Sequence, residues 1–203
     1  MDCEGNLARQ PERIVWAGVA VGRLSQLGSG WPRNTNMTLD QFWNIVEKVH
    51  RAADGDMDRK CELLHAELRQ LPLDEVRSFH AHFHECEDRA YSWELWAAAC
   101  IIGGGCSDDA FSDFRSTLIS MGRQTYERAL ADPQSLADMD YDAGTAQYEG
   151  YQYVPITVEK DLGGGQPFPR SRPHPAEPSG KPWDEDRVAE LYPRLAEKYD
   201  YTG

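Results

Sequence analysis

From residue 38 onward, apolar side chains recur every three or four positions, and the pattern predicts a helical protein. Thr38 and Gln41 have the spacing of a capping box, and Phe42, Ile45, Val46 and Val49 fall on one face of the helix they open. A second helix is predicted from about Met57 to Leu71, with Cys61, Leu64, His65 and Leu68 inward and Pro72 ending it. A third begins near Leu73, where Asp74 and Glu75 suit the positive end of the helix dipole, and continues through Val76, Phe79, Phe83 and Tyr91. Ser92 marks a break before a short buried helix, Trp93 to Ile102. Ser107 then caps a helix striped by Phe111, Phe114, Leu118, Ile119 and Met121, and Gly122 relays the chain into a segment from Tyr126 to Leu130. The Asp132-Pro133 step ends that segment, and Ser135 is placed to cap one more turn.

Beyond Asp140 the periodicity weakens. Tyr148, Tyr151 and Tyr153 alternate before Pro155, which leaves a short helix and a strand both open. Residues 163–182 are rich in Gly and Pro and read as an extended or draped linker. Trp183, Val188, Leu191, Tyr192, Leu195 and Tyr199 then have the spacing to dock two short helical turns, with Pro193 opening the second. Residues 1–36 read as an N-terminal extension with one apolar patch from Ile14 to Gly22. The expected organisation is that extension, a helical core over 37–162, a linker over 163–182 and a docking segment over 183–203. The expected fold is mainly α, a single-domain multi-helix bundle packed around Trp93–Ile102 with an irregular Pro/Gly-rich C-terminal segment.

Composition narrows the class. The 203 residues, 40% of them apolar, suffice for one core, and 34 acidic against 21 basic side chains give a net charge of -13. Such a field repels phosphate backbones, so nucleic acid is not an expected partner. No apolar stretch has the length of a membrane span and no signal-like apolar region follows a basic start, so a cytoplasmic protein with no membrane partner is expected. The five cysteines are odd in number, scattered and free of any CxxC pair, as expected of reduced thiols rather than disulfides or a structural zinc site.

Several unusual motifs occur in a fixed order: Phe42-Trp43, Trp93-x-Leu95-Trp96-x-Ala98-Ala99, GGCSDD from Gly104, Phe111-x-x-Phe114-Arg115, Leu118-Ile119, Gly122-Arg123, Asp132-Pro133, Pro178-Ser179-Gly180, Trp183 and Tyr192-Pro193-Arg194-Leu195. In these the chain, over about residues 37–203, resembles the bacterial DUF4240 family. It departs from the family pattern at Ala110, where glycine is expected, and at Ser116-Thr117, where an aromatic residue is expected just before Leu118. The resemblance implies a fold and no function, since the family is itself a domain of unknown function.

The candidate chemistry gathers around two places. In the GGCSDD segment, Asp108 and Asp109 are candidate catalytic bases and Cys106 a candidate thiol at a helix N-terminus. Helix capping by Ser107, with the two aspartates complementing the dipole, explains the same residues without a site. Asp108 and Arg115 are seven apart and share a face, so Arg115 either pairs with Asp108 or Asp109 or forks onto a ligand carboxylate or phosphate. Arg123, eight residues further, is a second candidate ligand contact. Trp93 and Trp96 share a face and either stack on a planar ligand or anchor the core. The second place is His80 and His84, one helical turn apart with Glu87 or Asp88 following. That spacing can chelate zinc, with Asp108 or Asp109 completing the set, but HExxH is absent and a boundary histidine cluster is the simpler reading.

These features favour a binding or accessory module that recognises a protein or small-molecule ligand at a cleft near Trp93, Trp96, Asp109, Arg115 and Arg123, with no cofactor or metal required. The alternative is an enzyme, a hydrolase or tailoring enzyme, using Asp108 or Asp109 with Arg115, and Cys106 or a His80/His84 metal site. A third reading is a regulatory partner whose acidity masks a basic protein.

Overall fold

Thr38 Oγ1 accepts the amide of Gln41 at 3.2 Å while Gln41 Oε1 accepts that of Thr38 at 2.8 Å. This reciprocal cap opens α1 (Leu39–Ala53) in the computed structural model, which describes residues 37–139, 144–165, 170, 173–184 and 187–202. The expectations for residues 1–36 lie outside the described residues.

The next elements also begin where short polar side chains supply caps. Asp56 accepts from the Arg59 amide to open α2 (Met57–Leu68), and Pro72 precedes α3 (Leu73–Arg89). Ser92 accepts from Leu95 N to open α4 (Trp93–Gly103), and Ser107 accepts from Ala110 N to open α5 (Asp108–Ser120). Gly104 closes α4 at φ +66°, a conformation open to glycine at little cost. Then follow α6 (Arg123–Ala131), a 3-10 turn (Pro133–Asp138), α7 (Tyr153–Leu162), α8 (Val188–Leu191) and α9 (Pro193–Lys198). The protein is a mainly α, multi-helix domain, and the described residues form no strand. None of their helices is long and apolar enough to cross a membrane.

Three local expectations are corrected. α2 stops at Leu68 and α3 at Arg89, short of Leu71 and Tyr91. The 3-10 turn is capped by Asp132, which accepts from Gln134 N at 3.1 Å, because Pro133 occupies the first position and makes the preceding residue the cap. The inner face of α2 holds Met57, Lys60, Leu64 and Leu68, so a lysine is buried where His65 was expected.

α4 is the hub. Leu95 and every residue from Ala97 to Ile102 are buried, and α5, α8, α9 and the 3-10 turn all pack on it. α1 packs on α2 and α5, and α3 packs on α5 and α7, with Phe42, Phe79, Phe83, Phe111 and Phe114 fully buried among them. The Pro178-Ser179-Gly180 segment lies along the α3–α4 joint, where Trp93 N donates to Ser179 O and Ser179 N to Tyr91 O, both at 2.9 Å. Gly180 sits at φ +85°, and a Cβ there would fall on the Glu94 carboxylate. Gly180→Ala is expected to cost about 1 kcal/mol and to speed amide exchange at Trp93 and Ser179 selectively. Unchanged exchange at both amides would contradict this account of the segment.

Candidate functional site

His80 and His84 lie one turn apart on α3, with ring centroids 4.2 Å apart. Each imidazole is fixed by a carboxylate. His80 Nδ1 donates at 2.6 Å to Glu159, which arrives from α7 and is only 1% exposed, and His84 Nδ1 donates at 2.9 Å to Glu87. The second oxygen of Glu159 faces the Arg77 guanidinium at 3.7 Å. Burial lowers the proton affinity of His80, and the Glu159 hydrogen bond opposes that shift without cancelling it.

Arg115 enters from α5. Its Nη1 donates to the Glu87 carbonyl at 3.0 Å and its Nε to Phe111 O at 3.3 Å, while its guanidinium carbon lies 4.7 Å from the Tyr91 ring centroid and 5.0 Å from that of Phe111. The Glu87 carbonyl belongs to the last turn of α3, whose free carbonyls form the negative end of its dipole. Arg170 and His174 come from the segment after α7. Arg170 Nη2 lies 3.0 Å from Asp88 Oδ1 and 3.8 Å from Glu87 Oε2, and His174 Nδ1 lies 2.9 Å from Asp88 Oδ1. His80, His84, Glu87, Arg115, Arg170 and His174, together with Ser112, Gln152, Tyr153 and Ile156, line a cleft of about 280 Å³. Behind its wall, Ser112 donates to Gln152, which in turn donates to Asp113. Burial, with Glu149 and Asp109 nearby, pushes the Asp113 carboxyl up to about 6.

Of the residues singled out from sequence, this cleft gathers Arg115, His80, His84 and Glu87, and leaves Asp88, Trp93, Trp96, Asp108, Asp109, Cys106 and Arg123 out of its lining. Asp108 and Asp109 stand exposed in the first turn of α5. The pairing of Arg115 with those aspartates is replaced by its bonds to the α3 carbonyl and Phe111, because the side chain turns inward across the two aromatic faces. Arg123 pairs with Asp40 at 2.8 Å on the surface. Trp93 and Trp96 stack on each other at 5.4 Å, Trp96 stacks on Phe111 at 4.8 Å, and Trp96 Nε1 donates to the Cys106 carbonyl at 3.0 Å. A hydrogen bond with Cys100 and burial push the Cys106 thiol well above its ordinary range, which removes the basis for a thiolate. His80 is buried rather than at the boundary. Among the described residues no group of three or more His, Cys, Asp or Glu side chains is arranged to hold a metal ion.

Glu159, Gln152, Arg170 and His174 were not singled out from sequence. Glu159, Arg170 and His174 meet α3 from more than sixty positions away and Gln152 meets α5 from about forty, and no local spacing marks them.

The profile of a protein family of unknown function, DUF4240, matches residues 37–158. This chain belongs to the DUF4240 family. No curated protein and no solved structure matches it. In this DUF4240 domain the WxLW and GGCSDD motifs form one corner, in which the Trp96 indole ties the first turn of α4 to the loop that Ser107 turns into α5. The Thr117 hydroxyl accepts the Tyr148 amide at 3.2 Å and anchors the chain that leads into α7.

Proposed function

We propose that this DUF4240 protein binds a small molecule bearing an anionic group, held in the His80–His84 cleft. The observation that supports this most directly is the gathering of two guanidiniums, Arg115 and Arg170, and three imidazoles, His80, His84 and His174, on one concave surface of an otherwise acidic protein. The carboxylates at this surface are already engaged. Glu87 and Glu159 hold the two α3 imidazoles, and Asp88 holds Arg170 and His174. A ligand carboxylate or phosphate therefore meets the guanidiniums, and the imidazoles become further donors to it where they are protonated; the small volume favours a metabolite-sized molecule over a macromolecular segment. We place the protein in the cytoplasm, a reading supported by the free cysteines Cys61, Cys86 and Cys106, and we assign it neither a nucleic-acid nor a membrane partner.

Inorganic phosphate and succinate are the first probes, at constant ionic strength set with chloride. Either is expected to raise Tm in proportion to the logarithm of its concentration once above Kd. The effect should be stronger at pH 6 than at pH 8, because an anion favours protonated imidazoles, and Arg170→Gln should abolish it. No shift beyond the chloride control with either anion at either pH would overturn the reading.

A further inference from the structure

Two imidazoles in one cleft, each with Nδ1 bound to a carboxylate, differ in their surroundings in a way that assigns them different tasks. His80 is the inner one, its side chain 8% exposed, and His84 the outer, 27% exposed. Donating Nδ1–H to Glu159 fixes the His80 tautomer and leaves the lone pair on Nε2, the nitrogen that Glu159 does not engage. Glu159 is itself held from the other side by Arg77, so it remains available to balance a proton gained by the ring. This is the arrangement in which a carboxylate orients a histidine base.

We propose that the cleft is catalytic, with His80 as the base that removes a proton from a hydroxyl of the small anionic molecule bound there. The proposal rests on the anion-binding reading above. In the step, the Nε2 lone pair forms an N–H bond as the substrate O–H bond breaks, and the O–H electron pair stays on the substrate oxygen. The imidazolium is neutralised by Glu159, and Arg115 and Arg170 face the negative charge that the substrate carries. No electron changes hands. His84, 4.2 Å away ring to ring and nearer solvent, packs against the His80 ring and is itself fixed by Glu87. The substrate class is a small hydroxyl-bearing carboxylate or phosphate.

The groups that face His80 are Glu159 from α7, Arg77, His84 and Glu87 from α3, Arg115 from α5 and Arg170 from the segment beyond α7. Burial outweighs the carboxylates, so His80 stays neutral at pH 7 and able to accept a proton.

The test uses the wild-type protein, with ¹⁵N NMR of the histidine rings and mass-spectrometric mapping of carbethoxylation by diethyl pyrocarbonate, each with and without inorganic phosphate. The expected result is a His80 ring protonated on Nδ1 only at pH 7, titrating below 6.5, and modified in the folded state at a rate that phosphate suppresses. Glu159→Gln is expected to slow that modification on the order of tenfold, the usual scale for loss of an orienting partner. Modification that phosphate leaves unchanged would support the base and overturn the anion-binding reading. A ring protonated on Nε2, or no carbethoxylation of His80 in the folded protein, would overturn the catalytic base even where phosphate binds. Both decisive readings come from the wild-type chain, so poor folding of the Glu159 variant would not affect them.

Discussion

Arg115→Ala is expected to lower unfolding free energy by about 3 kcal/mol. Arg115 is 4% exposed, and its guanidinium is the partner that α5 offers to the Glu87 carbonyl in the last turn of α3. Removing it leaves that carbonyl buried without the cation, a loss on the order of 1–3 kcal/mol for a charge-assisted bond. It also removes a cation sandwiched against the Tyr91 and Phe111 rings, worth about 1 kcal/mol, and opens a void where the side-chain stem lay. The desolvation cost of the charge works the other way and offsets part of the sum. For a chain of this size, about 3 kcal/mol corresponds to a Tm lower by roughly 6–12 °C. Urea denaturation would measure the difference, and a change below about 1 kcal/mol would mean that desolvation had cancelled the bonds. Arg115→Lys should fall between, since an ammonium cannot reproduce the planar fork that reaches two carbonyls.

Lys60→Met is expected to do the opposite and stabilise the fold by about 2 kcal/mol at pH 7. Lys60 is 3% exposed, and its Nζ donates at 3.1 Å to the Ser120 hydroxyl, with no carboxylate of the described residues within ion-pair reach. Burial lowers its pKa from 10.5 to about 8. Each unit is worth about 1.4 kcal/mol, and discounting for residual screening leaves on the order of 2 kcal/mol of cost when the group is charged. Methionine matches the unbranched shape, and Ser120 keeps its bond to the Thr117 carbonyl. Between about pH 8 and 10.5 the unfolded chain holds a proton on Lys60 that the folded chain has released. This group therefore makes the wild type more stable as pH rises through that window and contributes its full cost below it. The gain of the methionine variant should be largest at pH 7 and nearly gone by pH 10.5. Tyr126, Tyr148 and Tyr151, whose protons are held more tightly in the fold, change stability in the reverse direction, but equally in both proteins. A gain independent of pH would show that packing, not charge, was the cause.

These two cations also mark what the sequence could disclose. Helices α1 to α6 were legible because their signals are local: the Thr38/Gln41 cap, the serines at 92 and 107, and the three-to-four spacing of Phe111, Phe114 and Leu118. α7 was ambiguous because alternating tyrosines and Pro155 mimic a strand boundary, and its first turn tolerates the proline. Lys60 fell on the inner face by helical phase, but its charge argued for the surface, and tertiary packing prevailed. The cleft was half visible. The i, i+4 spacing of His80 and His84 was readable, and Arg115, singled out from the sequence, lines the same cleft, but the carboxylate that orients His80 lies 79 residues further along the chain. Trp93 and Trp96 share a face as their spacing predicted, and they stack on each other while Trp96 packs on Phe111 at the α4–α5 corner.

The all-round burial of α4 also governs how the protein must be made. A helix with one apolar stripe can wait in water with its polar side outward, but α4 has no such side from Ala97 to Ile102. Part of its cover comes from α8 and α9, which the ribosome adds some eighty residues later. Throughout that interval the nascent chain carries its most apolar element without its final shield, and it is there that a chaperone would have the most to hold.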